Sequence, residues 1–435
     1  MYNNNAKPPL IKILMRKFTA IKKIRRHIKK RQKETAKTAG KKMAALWRRQ
    51  KIGKSEAVKM IMVLLFCGAV AGEYFETRQT ARFEEEILPL KEKIGQMLMI
   101  GFRGTEAPAD SYIANAIAEL NLGGVILFDY DAPAKSRPRN IVDWQQTQNL
   151  IANLKSYAKN EPLLVAVDAE GGLINRLKPS MGFADIDSAQ DLGKRDGLTA
   201  VNEYWTLAKQ LRDLGFNVNF APVIDVNINP KNPVIGGLER SYSSKPQMVA
   251  DYAKAFVSAH RAFGILTSLK HFPGHGSSDS DSHLGLPDIT ESYEDKELDP
   301  YKELIKSGGA DSIMTAHVIN KKIDAEYPAT LSPEFIDKIL RRDLEFGGVV
   351  FSDDMQMGAI VDNYGFEDAI VRAINAGCDI LIFSNNGGEY DESIPRRARD
   401  IVLQAVLDGR IPQERINESY ERIAALKSKL PDQAK

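Results

Sequence analysis

Between residues 88 and 428 the chain returns eight times to a short apolar run, and each run gives way to a longer polar or amphipathic stretch before the next begins. The runs are Met97 to Gly101, Val125 to Phe128, Leu163 to Val167, Val218 to Ala221, Leu266 to Leu269, Ser312 to Thr315, Val349 to Phe351 and Ile380 to Phe383. Short runs without polar alternation belong to strands covered on both faces, as in parallel sheets. Between them, Trp144 to Ala158, Tyr204 to Leu214, Gln247 to Phe263, Pro333 to Leu340 and Glu367 to Ala376 carry apolar residues at helical spacing. Eight such units predict an α/β fold, a single (β/α)8 TIM barrel with right-handed crossovers. A doubly wound open sheet is the alternative. In a barrel the strand ends converge on one face. The polar residues that follow the runs, Asp168, Asp225, Lys270, His317, Asp353 and Ser384, are therefore expected to share one pocket. Ile411 to Lys435 reads as a last amphipathic helix with a frayed end.

The residues before the barrel differ in kind. Residues 1–59 hold 20 Lys and Arg against Glu34 and Glu56, a surplus of 18, so the rest of the chain carries a net −15 beneath a total of +3. An acidic body argues against a nucleic-acid-binding surface there, because phosphate contacts need clustered cations. Residues 60–72, MIMVLLFCGAVAG, are free of charge. They are short for a spanning helix, which needs roughly 17–25 residues, but suit a signal-peptide core or membrane anchor with its basic flank in the cytoplasm. Ala69-Val70-Ala71 offers a small-residue cleavage site. The expected organisation is a basic arm (1–59), a signal- or anchor-like segment (60–72), a linker (73–87), the barrel (88–428) and a tail (429–435), with the protein at the cell envelope. A cytoplasmic protein with a short buried or interfacial helix is the alternative. The two cysteines, Cys67 and Cys378, have neither zinc spacing nor grounds for a disulfide.

Chemistry is concentrated in Lys270-His271-Phe272-Pro273-Gly274-His275-Gly276 and its continuation through Asp279 and Asp281 to His283, which holds three of the six histidines. A second concentration is Phe351-Ser352-Asp353-Asp354-Met355-Gln356-Met357-Gly358. Here Asp353 follows an apolar run and would point into the barrel mouth, while Asp354 is expected to cap the next helix. His283, with an ordinary pKa near 6.5, could give and retrieve a proton near neutrality, oriented by Asp281. His275 is expected to tie down the loop and Glu170 to brace the pocket. The glycine- and serine-rich composition from Gly274 to Gly285 reads as a mobile loop that closes on a ligand.

The motif KHFPGHG followed by DSH, with VDAEGG upstream and FSDDMQMGAI downstream, resembles the bacterial β-N-acetylglucosaminidases of glycoside hydrolase family 3, over about Leu88 to Leu426. The resemblance implies that Asp353 is the nucleophile of a covalent glycosyl-enzyme and that His283 with Asp281 forms the acid/base dyad. It further implies that Asp168, Arg176, Arg240, Lys270 and His271 hold the sugar hydroxyls. Leu173 departs from the pattern, standing where members commonly carry arginine. The implied activity is a retaining exo-β-N-acetylglucosaminidase acting on N-acetylglucosamine-containing glycans, muropeptides in particular. It needs no metal or organic cofactor. Separately, a monomer is expected, with membrane contact through the N-terminal apolar segment.

Three other readings of the same residues stand beside this one. His271, His275, Asp279, Asp281 and His283 could supply metal ligands, although they form no HExxH or paired HxH signature. A non-catalytic sugar-binding protein would not need Asp353 together with the Asp281–His283 pair. A phosphorylase would pass the sugar to phosphate, which a histidine tolerates better than a second carboxylate.

Overall fold

The computed structural model describes residues 87–282 and 285–431. The basic arm, the apolar segment 60–72 and nearly all of the expected linker lie outside the described residues, as do His283 and Leu284. The chain divides into two compact units, Met1–Lys91 with Leu407–Gly409 and Glu92–Val406 with Arg410–Lys435. In the first, only residues 87–91 and 407–409 are described, and they are helical as far as Asp408. Among the described residues no helix is long and apolar enough to cross a membrane.

The second unit is a closed barrel of eight parallel strands: β1 Leu98–Gly101, β2 Gly124–Leu127, β3 Leu164–Val167, β4 Val218–Asn219, β5 Leu266–Phe272, β6 Ser312–Thr315, β7 Val349–Asp354 and β8 Ile380–Phe383. Each strand pairs with the next, and β8 closes on β1 with Leu98 beside Leu381. All eight expected runs are strands. β1 to β3, β5, β6 and β8 are buried at every residue, because helices cover the outer face and neighbouring side chains fill the inner one. Phe220 and Phe351 meet edge to face at 5.2 Å.

Three strands differ in length from expectation: β7 runs on through Ser352 and Asp353 to Asp354, and the other two differences bear on the site as well. β5 runs on through Lys270 and His271 to Phe272, so these polar residues sit on a rigid strand. β4 stops at Asn219, short of Pro222, which has no N–H for a ladder. The Asn219 side chain continues the pairing: Nδ2 donates to the Ala169 carbonyl (3.0 Å) and Oδ1 accepts the Ala169 N–H (3.1 Å).

The helices follow the amphipathic stretches. Gly197–Leu214 begins earlier than its apolar pattern implied, because the Asp196 side chain caps it by accepting the Thr199 N–H. Exposed Leu198 and Trp205 blur its periodicity. Its inner face, Tyr204, Leu207, Leu211 and Leu214, is buried, each large aliphatic contributing roughly 1.5–3 kcal/mol. It ends at Gly215, where φ is 96°. The last helix, Gln413–Lys427, is held by charge. Buried Asp379, just before β8, receives Arg341 (2.6 Å), Arg415 (2.8 Å), Arg422 (3.0 Å) and the Ser419 hydroxyl (2.9 Å). Burial alone would raise the Asp379 carboxyl, but the three guanidiniums outweigh it and hold the group below its ordinary pKa. Its Oδ2 also accepts the Val350 N–H (3.0 Å), tying that helix to β7.

Candidate active site

A cavity of about 300 Å³ opens at the carboxyl ends of the strands. Phe128, Tyr130 and Ala132 enter it from the loop after β2, and Asp168 and Arg176 from the residues after β3. Asp353 and Asp354 come from the end of β7, and Ser384 and Asn386 from beyond β8. Residues more than two hundred positions apart thus share one space, as barrel geometry requires.

Asp168 leads into a charged network. Lys270 Nζ donates to Asp168 Oδ1 (2.9 Å) and lies 2.7 Å from Glu170 Oε1. Arg240 grips the same Glu170 with two hydrogen bonds of 2.8 Å, and its Nη2 lies 3.2 Å from His271 Nε2. Lys270 and Glu170 are buried. Burial pushes the Glu170 carboxyl up, but Arg240 and Lys270 outweigh it and bring it down to about 2; burial likewise lowers Lys270, and the two carboxylates more than restore it. Both side chains are therefore charged at neutral pH. Arg176 is held more loosely. Its guanidinium lies 3.8 Å from Asp168 and 3.9 Å from Asp129, and among the described residues its buried Nε has no hydrogen-bond partner. Donors left in that state beside a carboxylate suit the hydroxyls of a sugar.

The network is aimed by the local chain. A short hairpin, Ala169–Gly171 with Ile174–Asn175, places Asp168 and Glu170 on either side of the Ala169 peptide that Asn219 clamps. Its turn needs glycine: φ is 99° at Gly171, where a Cβ would lie 2.2 Å from the Asp187 carbonyl oxygen. Leu173, at the tip, is exposed.

Buried Asp225 accepts the backbone N–H of His275 at 2.7 Å and the ring Nδ1 of His271 at 2.7 Å. The carboxylate can only accept there, so the His271 ring donates through Nδ1. His275 is buried and its pKa falls to about 4 through burial, leaving a neutral ring 3.5 Å from Ser282 Oγ. Residues Gly274 to Ser278 are buried and bonded, and among the described residues that follow, Asp279 and Ser280 are exposed and Asp281 is half-buried. Side-chain and backbone amides hold the carbonyls of this loop. Asn229 Nδ2 donates to the Ser278 carbonyl (3.0 Å), Asn232 Nδ2 to the His275 carbonyl (2.6 Å), and the Ala359 N–H to the Ser282 carbonyl (3.3 Å). His283 lies outside the described residues.

Asp353 ends an apolar run as expected, and its Oδ1 accepts the Asp354 N–H (2.7 Å). Asp354 does not cap the following helix. That helix, Gly358–Tyr364, starts after Met357, and β7 itself continues through Asp354. The Asp354 carboxylate accepts the Gln356 N–H (3.1 Å), the Ser384 N–H (3.0 Å) and the Ser384 hydroxyl, fastening β7 to the segment after β8. Burial raises its pKa against these bonds. His317 Nε2 lies 3.0 Å from the Asp354 carbonyl oxygen and donates to it. Among the described residues no three His, Cys, Asp or Glu side chains gather as a metal would require. Sequence reasoning missed Asn219 and also Glu297, which accepts the Gly276 and Ser277 amides. Neither carries a local signal, since both act across long separations.

A barrel with a carboxylate-bearing sugar-sized cleft at its strand ends defines a class, and comparison with known proteins gives the family. Residues 89–426 match the glycosyl hydrolase family 3 N-terminal domain. β-Hexosaminidase A of Pseudoalteromonas piscicida is 32% identical over 397 residues, covering 82% of this chain and 64% of that protein. The family 3 β-N-acetylglucosaminidase of Paenibacillus sp. FPU-7 superposes with a TM-score of 0.71 at 38% identity, over 78% of this chain and 62% of that one. The β-N-acetylhexosaminidase of Beutenbergia cavernae gives 0.69 at 29% identity, over 78% of this chain and 98% of that one. The chain belongs to glycosyl hydrolase family 3. It spans less than two thirds of the first two relatives' length and nearly all of the third.

Proposed function

We propose that the protein is a retaining exo-β-N-acetylglucosaminidase that removes terminal N-acetylglucosamine from peptidoglycan fragments. The observation that carries this reading is the placing of Asp353 at the end of β7 in one cavity with Asp168 and the loosely held Arg176. Asp353 attacks the anomeric carbon and forms a glycosyl-enzyme. Lys270, Arg240 and His271, joined in one charged network with Asp168 and Glu170, orient the sugar hydroxyls. Asp281 and His283 supply the proton to the leaving oxygen and then activate water. The relatives' hexosaminidase activities support the sugar, and the envelope substrate agrees with the charge-free segment 60–72 behind its basic arm.

Assay of p-nitrophenyl N-acetyl-β-glucosaminide beside the β-glucoside, with wild type and Asp353→Asn, tests the reading. The N-acetylated substrate should be strongly preferred and the variant should lose at least about a thousandfold in kcat/KM. Equal rates on the two sugars, or an active Asp353→Asn protein, would contradict it.

A further inference from the structure

The loop that carries Asp281 is gripped by two buried carboxylates, and only one of them touches a residue of the proposed sugar site. Asp225 takes its first half, through His271 and the His275 amide. Glu297, from the short 3-10 turn Asp295–Leu298 that precedes the helix Asp299–Lys306, takes the next two residues, Gly276 and Ser277. Glu297 is completely buried, and its Oε2 accepts the N–H groups of both Gly276 (3.0 Å) and Ser277 (3.3 Å). Its other oxygen accepts the Glu294 N–H (3.4 Å). The contact is close: at Gly274, where φ is 132°, an added Cβ would lie 2.7 Å from Glu297 Cβ.

A carboxyl in this position is costly. Burial pushes its pKa up to about 7, and the amide bonds only partly oppose the shift. A side chain that only filled space would need no carboxyl here. What this one does is fix two successive peptide N–H groups that precede Asp281 by five and four residues, while Asn229 and Asn232 fix carbonyls of the same loop. Resting on the acid/base reading of that loop, we infer that Glu297 is a positioning residue for proton transfer: it sets the reach of the Asp281 segment toward the leaving-group oxygen without touching substrate.

The test uses the full chain with Glu297→Ala, Glu297→Gln and Asp281→Asn. For each, kcat/KM is measured on N,N′-diacetylchitobiose, whose leaving alcohol needs a proton, and on p-nitrophenyl N-acetyl-β-glucosaminide, whose leaving phenolate needs little. The ratio of the two values on one preparation is independent of how much of it is folded. Glu297→Ala should lower chitobiose kcat/KM about 10- to 100-fold more than the aryl value, the scale of a misplaced acid/base group. Glu297→Gln should keep most of the wild-type ratio, because its amide oxygen can accept both N–H groups. A changed ratio in Asp281→Asn with an unchanged one in Glu297→Ala overturns the role of Glu297 alone. An unchanged ratio in Asp281→Asn overturns the acid/base reading and this inference with it.

Discussion

Replacing Glu170 by Gln tests whether the proposed sugar site is held together by charge. The substitution keeps the shape but removes one of the two carboxylates that face Lys270 and Arg240. The structure fixes the size of the effect by two routes. Lowering a carboxyl from 4.5 to about 2 corresponds to about 3 kcal/mol of folding free energy. Breaking a buried ion pair by removing one partner costs about 3–5 kcal/mol, and the retained amide should place this case at the lower end. Because the folded pKa lies below the unfolded one, the stabilisation is complete above pH 4.5 and is lost as the pH falls through 4.5 toward 2. By pH 3.5 about 1.4 kcal/mol of it should be gone from the wild type and none from the variant. Urea unfolding of both proteins at pH 7 and pH 3.5 measures this directly. The gap between them should be about 3 kcal/mol at pH 7 and narrow by roughly half at pH 3.5. A gap below about 1 kcal/mol at neutral pH, or one of equal size at both, would refute the reasoning.

Two further substitutions probe the frame around the site. Asp379→Asn leaves three guanidiniums without their shared carboxylate, so it should destabilise the fold by about 3–5 kcal/mol in urea unfolding while KM of the folded fraction stays unchanged. Gly276→Ala puts a Cβ 1.8 Å from the Val226 carbonyl oxygen, which forces the loop outward; kcat/KM should fall about 100-fold in steady-state assay with far-UV circular dichroism unaltered.

The barrel was legible because a parallel strand buried on both faces writes itself as an unbroken apolar run, and Leu164–Val167 or Ile380–Phe383 needs no context to be recognised. The charged residues of the site were legible as types but not as partners. Lys270 and Glu170 lie one hundred residues apart, and only strand order brings them within 2.7 Å. Asp354 misled because a carboxylate ahead of a helix usually caps it; here strand pairing extends through Asp354 and its side chain bonds across to Ser384 instead. Glu297 stood hidden in Glu294-Asp295-Lys296-Glu297, where a charged cluster reads as solvated surface, and its burial follows from the loop folding back onto it.

Asp353 is proposed to bond covalently to the sugar. Inactivation with a 5-fluorinated N-acetylglucosaminyl fluoride, followed by peptide mass spectrometry, tests it most directly, since the fluorines slow release of the glycosyl-enzyme more than its formation. One adduct is expected, on the peptide containing Asp353, and none on Asp353→Asn. An adduct on another side chain, or a first-formed product of inverted anomeric configuration, would contradict it.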